Sequence, residues 1–318
     1  MRVVITDSIW GEAEIERGVL ESHGFEVVLA QARSPEEVVQ AAQGAIALIV
    51  QYAPITAQVV EGLPDLRVVS RYGVGVDNVD VEAARARGVW VANVPDYGTE
   101  EVAVHALALI LALVRRVPAL DRSVREGHWD PKAAGAIPRL SELTLGLLGL
   151  GRIGRALALR ARGLFGHLLG FDPFAKDWPE GVERAPSIEA LLQASHVVSL
   201  HLPLTPETRG LLHRERLALM PRGSYLVNTA RGGLVDLEAL AWALEEGILA
   251  GAALDVLPEE PPPSDLPLLR HPRVILTPHV AWYSVTAEKE LRRKAALNVL
   301  EWHQKGRPLY PVGEVERG

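Results

Sequence analysis

A histidine that closes an apolar strand is well suited to move a proton, because its imidazole changes charge near neutral pH. His279 stands in that position, after Val274-Ile275-Leu276-Thr277-Pro278. Upstream, the run Asp255-Val256-Leu257-Pro258-Glu259-Glu260-Pro261 offers two adjacent carboxylates that could orient the ring and favour its protonated form. Residue type alone does not choose between Glu259 and Glu260. Arg231 ends a third apolar run, Tyr225-Leu226-Val227-Asn228-Thr229-Ala230, and precedes Gly232-Gly233. A guanidinium there can grip a carboxylate through two parallel hydrogen bonds. Proton donor, carboxylate partner and cation together make the set needed to reduce a carbonyl that sits beside a carboxylate.

Such a reduction needs a hydride source, and the chain carries a motif for one. Gly149-Leu150-Gly151-Arg152-Ile153-Gly154 follows the apolar strand Leu143–Leu148 and opens the helical run Arg155–Ala161. That is the setting of a dinucleotide-binding turn. Gly149 permits the tight turn, Gly151 lets backbone approach a pyrophosphate, and Gly154 lets helix pack on strand. The helix start adds amide donors and a favourable dipole. The next strand, His167–Phe171, ends at Asp172, 172 − 154 = 18 positions past the last glycine. An acid there accepts hydrogen bonds from a ribose diol and repels a 2′-phosphate, so NAD is expected rather than NADP. A further loop, Arg71-Tyr72-Gly73-Val74-Gly75-Val76-Asp77-Asn78, follows the strand Arg67–Ser70. Its closely spaced glycines expose N–H groups that can form an anion-binding concavity.

The elements that must hold these residues alternate. Strands are expected at Val3–Thr6, Glu26–Leu29, Ala45–Val50, Arg67–Ser70 and Val89–Val91, then at Thr144–Leu148, His167–Phe171, Val197–Leu200, Tyr225–Asn228, Gly251–Leu254 and Val274–Leu276. Helices lie between them, among them one from an N-cap at Thr99 to about Arg116, one at Asp236–Glu246 and a last one from about Ser284 to Gln304. This alternation predicts an α/β fold with parallel sheets. The dinucleotide motif sits mid-chain. The expected architecture is therefore a doubly wound Rossmann domain, residues 99–284, inserted into a smaller discontinuous flavodoxin-like domain, residues 1–98 plus 285–318. Two crossings between them would make a hinge, with the active site in the cleft.

Composition narrows the classes. The 318 residues carry a net charge of −7 at pH 7, which argues against a general affinity for nucleic acid or an anionic membrane. There is no cysteine, so thiolate metal sites, cysteine nucleophiles and disulfides are excluded; no metal is expected, since Arg231 and His279 can provide the charge stabilisation. The longest apolar stretch, Val102 to Val114, is interrupted by His105 and is too short to span a bilayer. The amino terminus reads as a buried strand, not a secretory leader, and a cytoplasmic protein is expected.

Taken together, Arg71–Asp80, Gly149–Gly154 with Asp172, Val227–Asp236, Ala252–Pro261 and Thr277–His279 closely resemble the D-isomer-specific 2-hydroxyacid dehydrogenases, over essentially the whole chain. The resemblance implies interconversion of a small 2-keto acid and its D-2-hydroxy acid with NAD. It makes His279 the acid/base, Glu260 its partner and Arg231 the cation that orients the substrate. It picks Glu260 by its place before Pro261, 260 − 231 = 29 positions after Arg231. It implies that the Val74 and Gly75 amides, beyond Gly73, hold the substrate carboxylate. It places Arg152 and Ile153 at the pyrophosphate, His201, Pro203, Thr229 and Ala230 along the cofactor, and Asp255 near the nicotinamide amide.

The run Ala281-Trp282-Tyr283-Ser284, with Asn228–Asp236, is similar to the branch of C-terminal-binding proteins, NADH-responsive corepressors. By that likeness Arg71 contacts the substrate carboxylate and Trp282 lines the pocket; packing at the domain junction is an equal reading for Trp282. Within the family, the phosphoglycerate dehydrogenases and the glyoxylate/hydroxypyruvate reductases are alternative activities. An NADH-sensing scaffold is the reading from another class. The family's dimers imply a homodimer through the nucleotide domain, with the helix Glu100–Arg116 as interface, because its apolar content is too continuous for a one-sided helix.

Overall fold

The computed structural model describes residues 1–315. The chain divides into two compact units, Met1–Gly98 with the described part of Ser284–Gly318, and Thr99–Tyr283.

The first unit holds β1 (Arg2–Ile5), β2 (Glu26–Leu29), β3 (Ala47–Val50), β4 (Val68–Arg71) and β5 (Trp90–Ala92). They lie in the order β2-β1-β3-β4-β5, every neighbouring pair parallel. This is the flavodoxin-like order. Helices cover both faces of such a sheet, so its strands read as unbroken apolar runs; all four residues of β3 are buried. The last helix, Val285–Lys305, belongs to this unit. Ser284 caps it by accepting from the Ala287 amide, and Gly306 ends it at a φ of 72°. The Ser70 hydroxyl donates to the Ala295 carbonyl at 2.9 Å, and the Asn298 side chain donates to the Asn93 carbonyl at 2.9 Å.

The second unit holds β6 (Thr144–Leu148), β7 (His167–Phe171), β8 (Glu183–Arg184), β9 (Val197–Leu200), β10 (Ser224–Asn228), β11 (Leu249–Leu254) and β12 (Val274–Leu276). The order is β12-β11-β10-β9-β6-β7-β8, again all parallel. Counted from the middle, the strand order reverses between β6 and β9. That is the switch point at which ligands bind in doubly wound sheets. Because every strand runs the same way, the loops leaving β6, β7, β9, β10, β11 and β12 emerge along one edge.

Two expectations need correction here. The pair β8 is absent from the sequence reading, since two charged residues have no strand pattern. The long helix runs Thr99–Val114, with Thr99 its first residue and not its cap, and it stops two residues short of Arg116. Arg116 takes a left-handed φ of 56°, and a second helix, Val117–Arg125, starts after it with no buried residue. The apolar continuity of Thr99–Val114 is largely used inside this unit. Ala103, Ala106, Leu109, Ile110, Leu113 and Val114 are buried in one core with Leu157, Ala158 and Ala161 of the helix Arg152–Ala161. Among the described residues no single helix is long and apolar enough to cross a membrane.

Candidate active site

The site is built from loop ends. Asp255 follows β11 and is buried, with 2% of its surface exposed. Its Oδ1 accepts from the Thr277 hydroxyl at 2.5 Å and from the Val280 amide at 2.9 Å; Oδ2 accepts from the Ala281 amide at 3.0 Å. Its own carbonyl accepts from the His279 amide at 2.8 Å. One carboxylate thus fastens the whole loop after β12. That loop carries His279 with a φ of 51°, a left-handed conformation that a non-glycine residue adopts at a cost. The Asp255 bonds meet that cost and aim the ring.

Nδ1 of His279 lies 2.6 Å from Oε2 of Glu260, while Oε1 of Glu260 accepts from the Leu257 amide at 2.9 Å. Glu260, not Glu259, is therefore the carboxylate that meets the ring. Burial pushes the Glu260 carboxyl up. The hydrogen bond and charge of His279, the Leu257 amide and the Arg231 guanidinium outweigh that, and the group ends below its ordinary value. A carboxylate on Nδ1 leaves Nε2 as the nitrogen free to exchange a proton with a bound molecule.

Arg231 is presented by a turn that Asn228 braces. Asn228 is fully buried; its Nδ2 donates to the Arg231 carbonyl at 2.8 Å and its Oδ1 accepts from the Ala230 amide at 3.0 Å. Nη1 of Arg231 donates to the Ala230 carbonyl at 2.7 Å. The turn presses on the Glu260 loop: a Cβ on Gly232 would stand 2.0 Å from the Leu257 carbonyl carbon. Only glycine permits that approach, which is how two loops from different strands come to share one site.

The glycine turn after β6 divides its labour as the motif requires. Gly149 has a φ of 92°, and a Cβ there would lie 2.5 Å from the His201 carbonyl oxygen. A Cβ on Gly154 would lie 2.1 Å from the Gly149 oxygen, so this glycine is the packing one. A Cβ on Gly151 would meet nothing within 4 Å. Gly151 caps the helix Arg152–Ala161 without any side-chain cap, which leaves amide donors facing outward beside exposed Arg152 and half-buried Ile153. Asp172 accepts from the Leu150 amide and the Phe174 amide, both at 2.8 Å, one on each oxygen. Each oxygen keeps lone pairs for a further donor. Thr229 Oγ1, after β10, is buried and has no hydrogen-bond partner among the described residues. An open glycine, outward amides, a fixed carboxylate and an orphaned hydroxyl fit a dinucleotide. His201 is half-buried, its Nε2 is 2.9 Å from the Ser199 hydroxyl, and burial lowers its pKa to about 4, so the ring is neutral. Pro203 is exposed in the same loop.

Arg71, Gly73, Val74 and Gly75 are in the first unit, at the end of β4. Gly73 has a φ of 137°, and the Arg71 guanidinium folds over it where a Cβ would clash. Asn93 donates to the Val74 carbonyl at 2.7 Å. Trp282 is half-buried and meets Tyr283 edge-on, ring centres 5.6 Å apart. Sequence reasoning missed Asn228 and Thr277 as braces. A buried polar residue at a strand end was the available signal.

Residues 107–281 match the model of the D-isomer specific 2-hydroxyacid dehydrogenase NAD binding domain. A D-3-phosphoglycerate dehydrogenase of Methanocaldococcus jannaschii is 40% identical over 293 residues, 91% of this chain and 55% of that protein. This chain thus spans about half the length of such phosphoglycerate dehydrogenases. A glyoxylate reductase of Korarchaeum cryptofilum is 45% identical over 254 residues, covering 78% of this chain and 75% of that one. The crystal structure of the TT0316 protein from Thermus thermophilus superposes with a TM-score of 0.89 at 40% identity, over 98% of this chain and 100% of its own. With this fold, this glycine turn and this paired histidine and glutamate, the chain belongs to the family of D-isomer specific 2-hydroxyacid dehydrogenases.

Proposed function

We propose that the chain reduces a small 2-keto acid to its D-2-hydroxy acid with NADH, and runs the reverse reaction with NAD. The observation that carries this reading is the 2.6 Å contact between His279 and Glu260 at the same sheet edge as the glycine turn. When bound, the nicotinamide supplies the hydride. His279 gives the proton from Nε2 to the carbonyl oxygen, and the Glu260 carboxylate favours the imidazolium that gives it. Arg231 binds the substrate carboxylate, with Arg71 and the amides of Val74 and Gly75 as further donors. Thr229 and Ala230 line the cofactor beside Arg231. Asp172 favours a free ribose diol, hence NAD over NADP. Trp282 lines the pocket on the keto acid's side chain.

Turnover of NADH, and separately NADPH, with glyoxylate, hydroxypyruvate, 3-phosphohydroxypyruvate and bulkier keto acids tests this. The expected outcome is NADH oxidation with at least one acid, lost by at least about 10³-fold in His279→Gln while NADH binding persists. Wild-type turnover in the variant would remove His279 from the mechanism.

A homodimer is part of the proposal. The support is three exposed apolar side chains beyond the first helix of the nucleotide unit: Val117 is 55% exposed, Val124 46% and Trp129 86%. Light scattering should give twice the chain mass, falling to one in Val124→Asp/Trp129→Ala. A monomeric wild type would refute it.

A further inference from the structure

We infer that His105 is a positioning residue for the acid/base loop, acting on it through Thr277 and Asp255. The inference deepens the proposed function and rests on His279 being the acid/base.

His105 interrupts the apolar helix Thr99–Val114, and its side chain keeps 25% exposure. An imidazole in such a setting needs a partner. The partner is no helix carbonyl: Nε2 of His105 lies 3.1 Å from Thr277 Oγ1 and 3.8 Å from Asp255 Oδ1. Among the described residues this is the ring's one hydrogen bond.

Proton counting sets the direction. A threonine hydroxyl has one proton, and an ionised carboxylate only accepts. The 2.5 Å contact between Thr277 Oγ1 and Asp255 Oδ1 therefore uses the Thr277 proton. The same oxygen must accept from His105, so Nε2 carries the hydrogen. The chain runs His105 Nε2–H to Thr277 Oγ–H to Asp255. From there Asp255 holds the amides of Val280 and Ala281 through its carboxylate, and that of His279 through its carbonyl.

His105 thus locks the Thr277 rotor in the one orientation that serves Asp255. A helix whose apolar face packs in the core thereby braces a loop that holds His279 in a left-handed conformation. Without the imidazole, Thr277 is free to turn its proton to water, and the clamp loses a donor. The consequence falls on the aim of His279, not on substrate affinity.

The test compares full-length His105→Leu, which keeps bulk but not the donor, with His105→Gln, whose amide nitrogen can reach the place of Nε2. In the Leu variant kcat should fall about tenfold on the best keto acid while KM stays within about twofold, and Gln should restore most of the loss. Hydrogen exchange read by mass spectrometry should speed up about tenfold in the segment 277–283 of the Leu variant, with the rest of the chain unchanged and Gln resembling wild type. Wild-type kcat and exchange in the Leu variant would overturn the inference. So would exchange that rises across the whole nucleotide unit without rescue by Gln, which marks a general packing role. If the wild type turns over no keto acid, the proposed function falls, and the exchange of segment 277–283 still decides for or against His105.

Discussion

The neutral-pH charge of Glu260 is the residue-scale fact on which the proton chemistry turns. Burial works against the carboxylate, and His279, Leu257 and Arg231 overcome it, so the group titrates below its ordinary range. The folded carboxyl holds its proton less tightly than the unfolded one. The pair therefore stabilises the fold at neutral pH, and that contribution is lost as pH falls through the acid range. For activity, Glu260→Gln removes the charge and keeps the shape. Its reductive kcat should fall about tenfold or more at neutral pH while NADH binding is unchanged. A wild-type kcat would show that the charge is idle. Which glutamate does this was not legible in residue types. Glu259 and Glu260 are chemically equal; the Leu257 amide, which donates to Glu260, makes them different. His105 and Thr277 read as an interruption and a strand end until the strands stood side by side.

Elements were legible where their pattern is local. β6, β7, β9 and β12 fall where alternation of apolar runs and helices places them. Ends slip where apolar runs continue past a boundary: β11 starts at Leu249, two residues before the expected Gly251, because Ile248-Leu249-Ala250 prolongs the run after the Gly247 turn. Pairing over long separation left no trace at all. Arg292, on the last helix and 2% exposed, forks onto both oxygens of fully buried Glu16 at 2.8 Å each. It also meets Glu12 and stacks 4.9 Å from the Trp10 ring, while the Tyr72 hydroxyl donates to Glu16 at 2.7 Å. A charged residue on an amphipathic helix reads as solvent-facing, and its partner is 276 positions away. The network ties Val285–Lys305 to Glu14–Leu20 and to the residue beside Gly73. Arg292→Met keeps the volume and strands the buried Glu16 charge, so unfolding by urea should show a loss of about 3–5 kcal/mol. A loss under about 1 kcal/mol would mean Glu16 takes up a proton or finds water.

At the scale of the molecule, the sequence carried the class, the parallel sheets and the mid-chain place of the nucleotide unit, since the glycine turn announces its own strand and helix. The strand orders are those of the expected flavodoxin-like and doubly wound architectures, although no single segment encodes them: order is decided by which crossovers pack, as with β6 lying between β7 and β9. That order has a consequence of its own. The second sheet has one direction, so six strands deliver six separate loops to one edge: Gly149–Gly154, Asp172, His201–Pro203, Thr229–Arg231, Asp255–Glu260 and His279. Each task sits on its own segment, and the hydrogen-bond register of the sheet depends on none of them. Such a scaffold is modular in inheritance. A loop that meets the variable part of a keto acid can lengthen, shorten or be grafted from a relative while the proton-moving pair stays as it is, so new substrate preferences can be acquired one segment at a time.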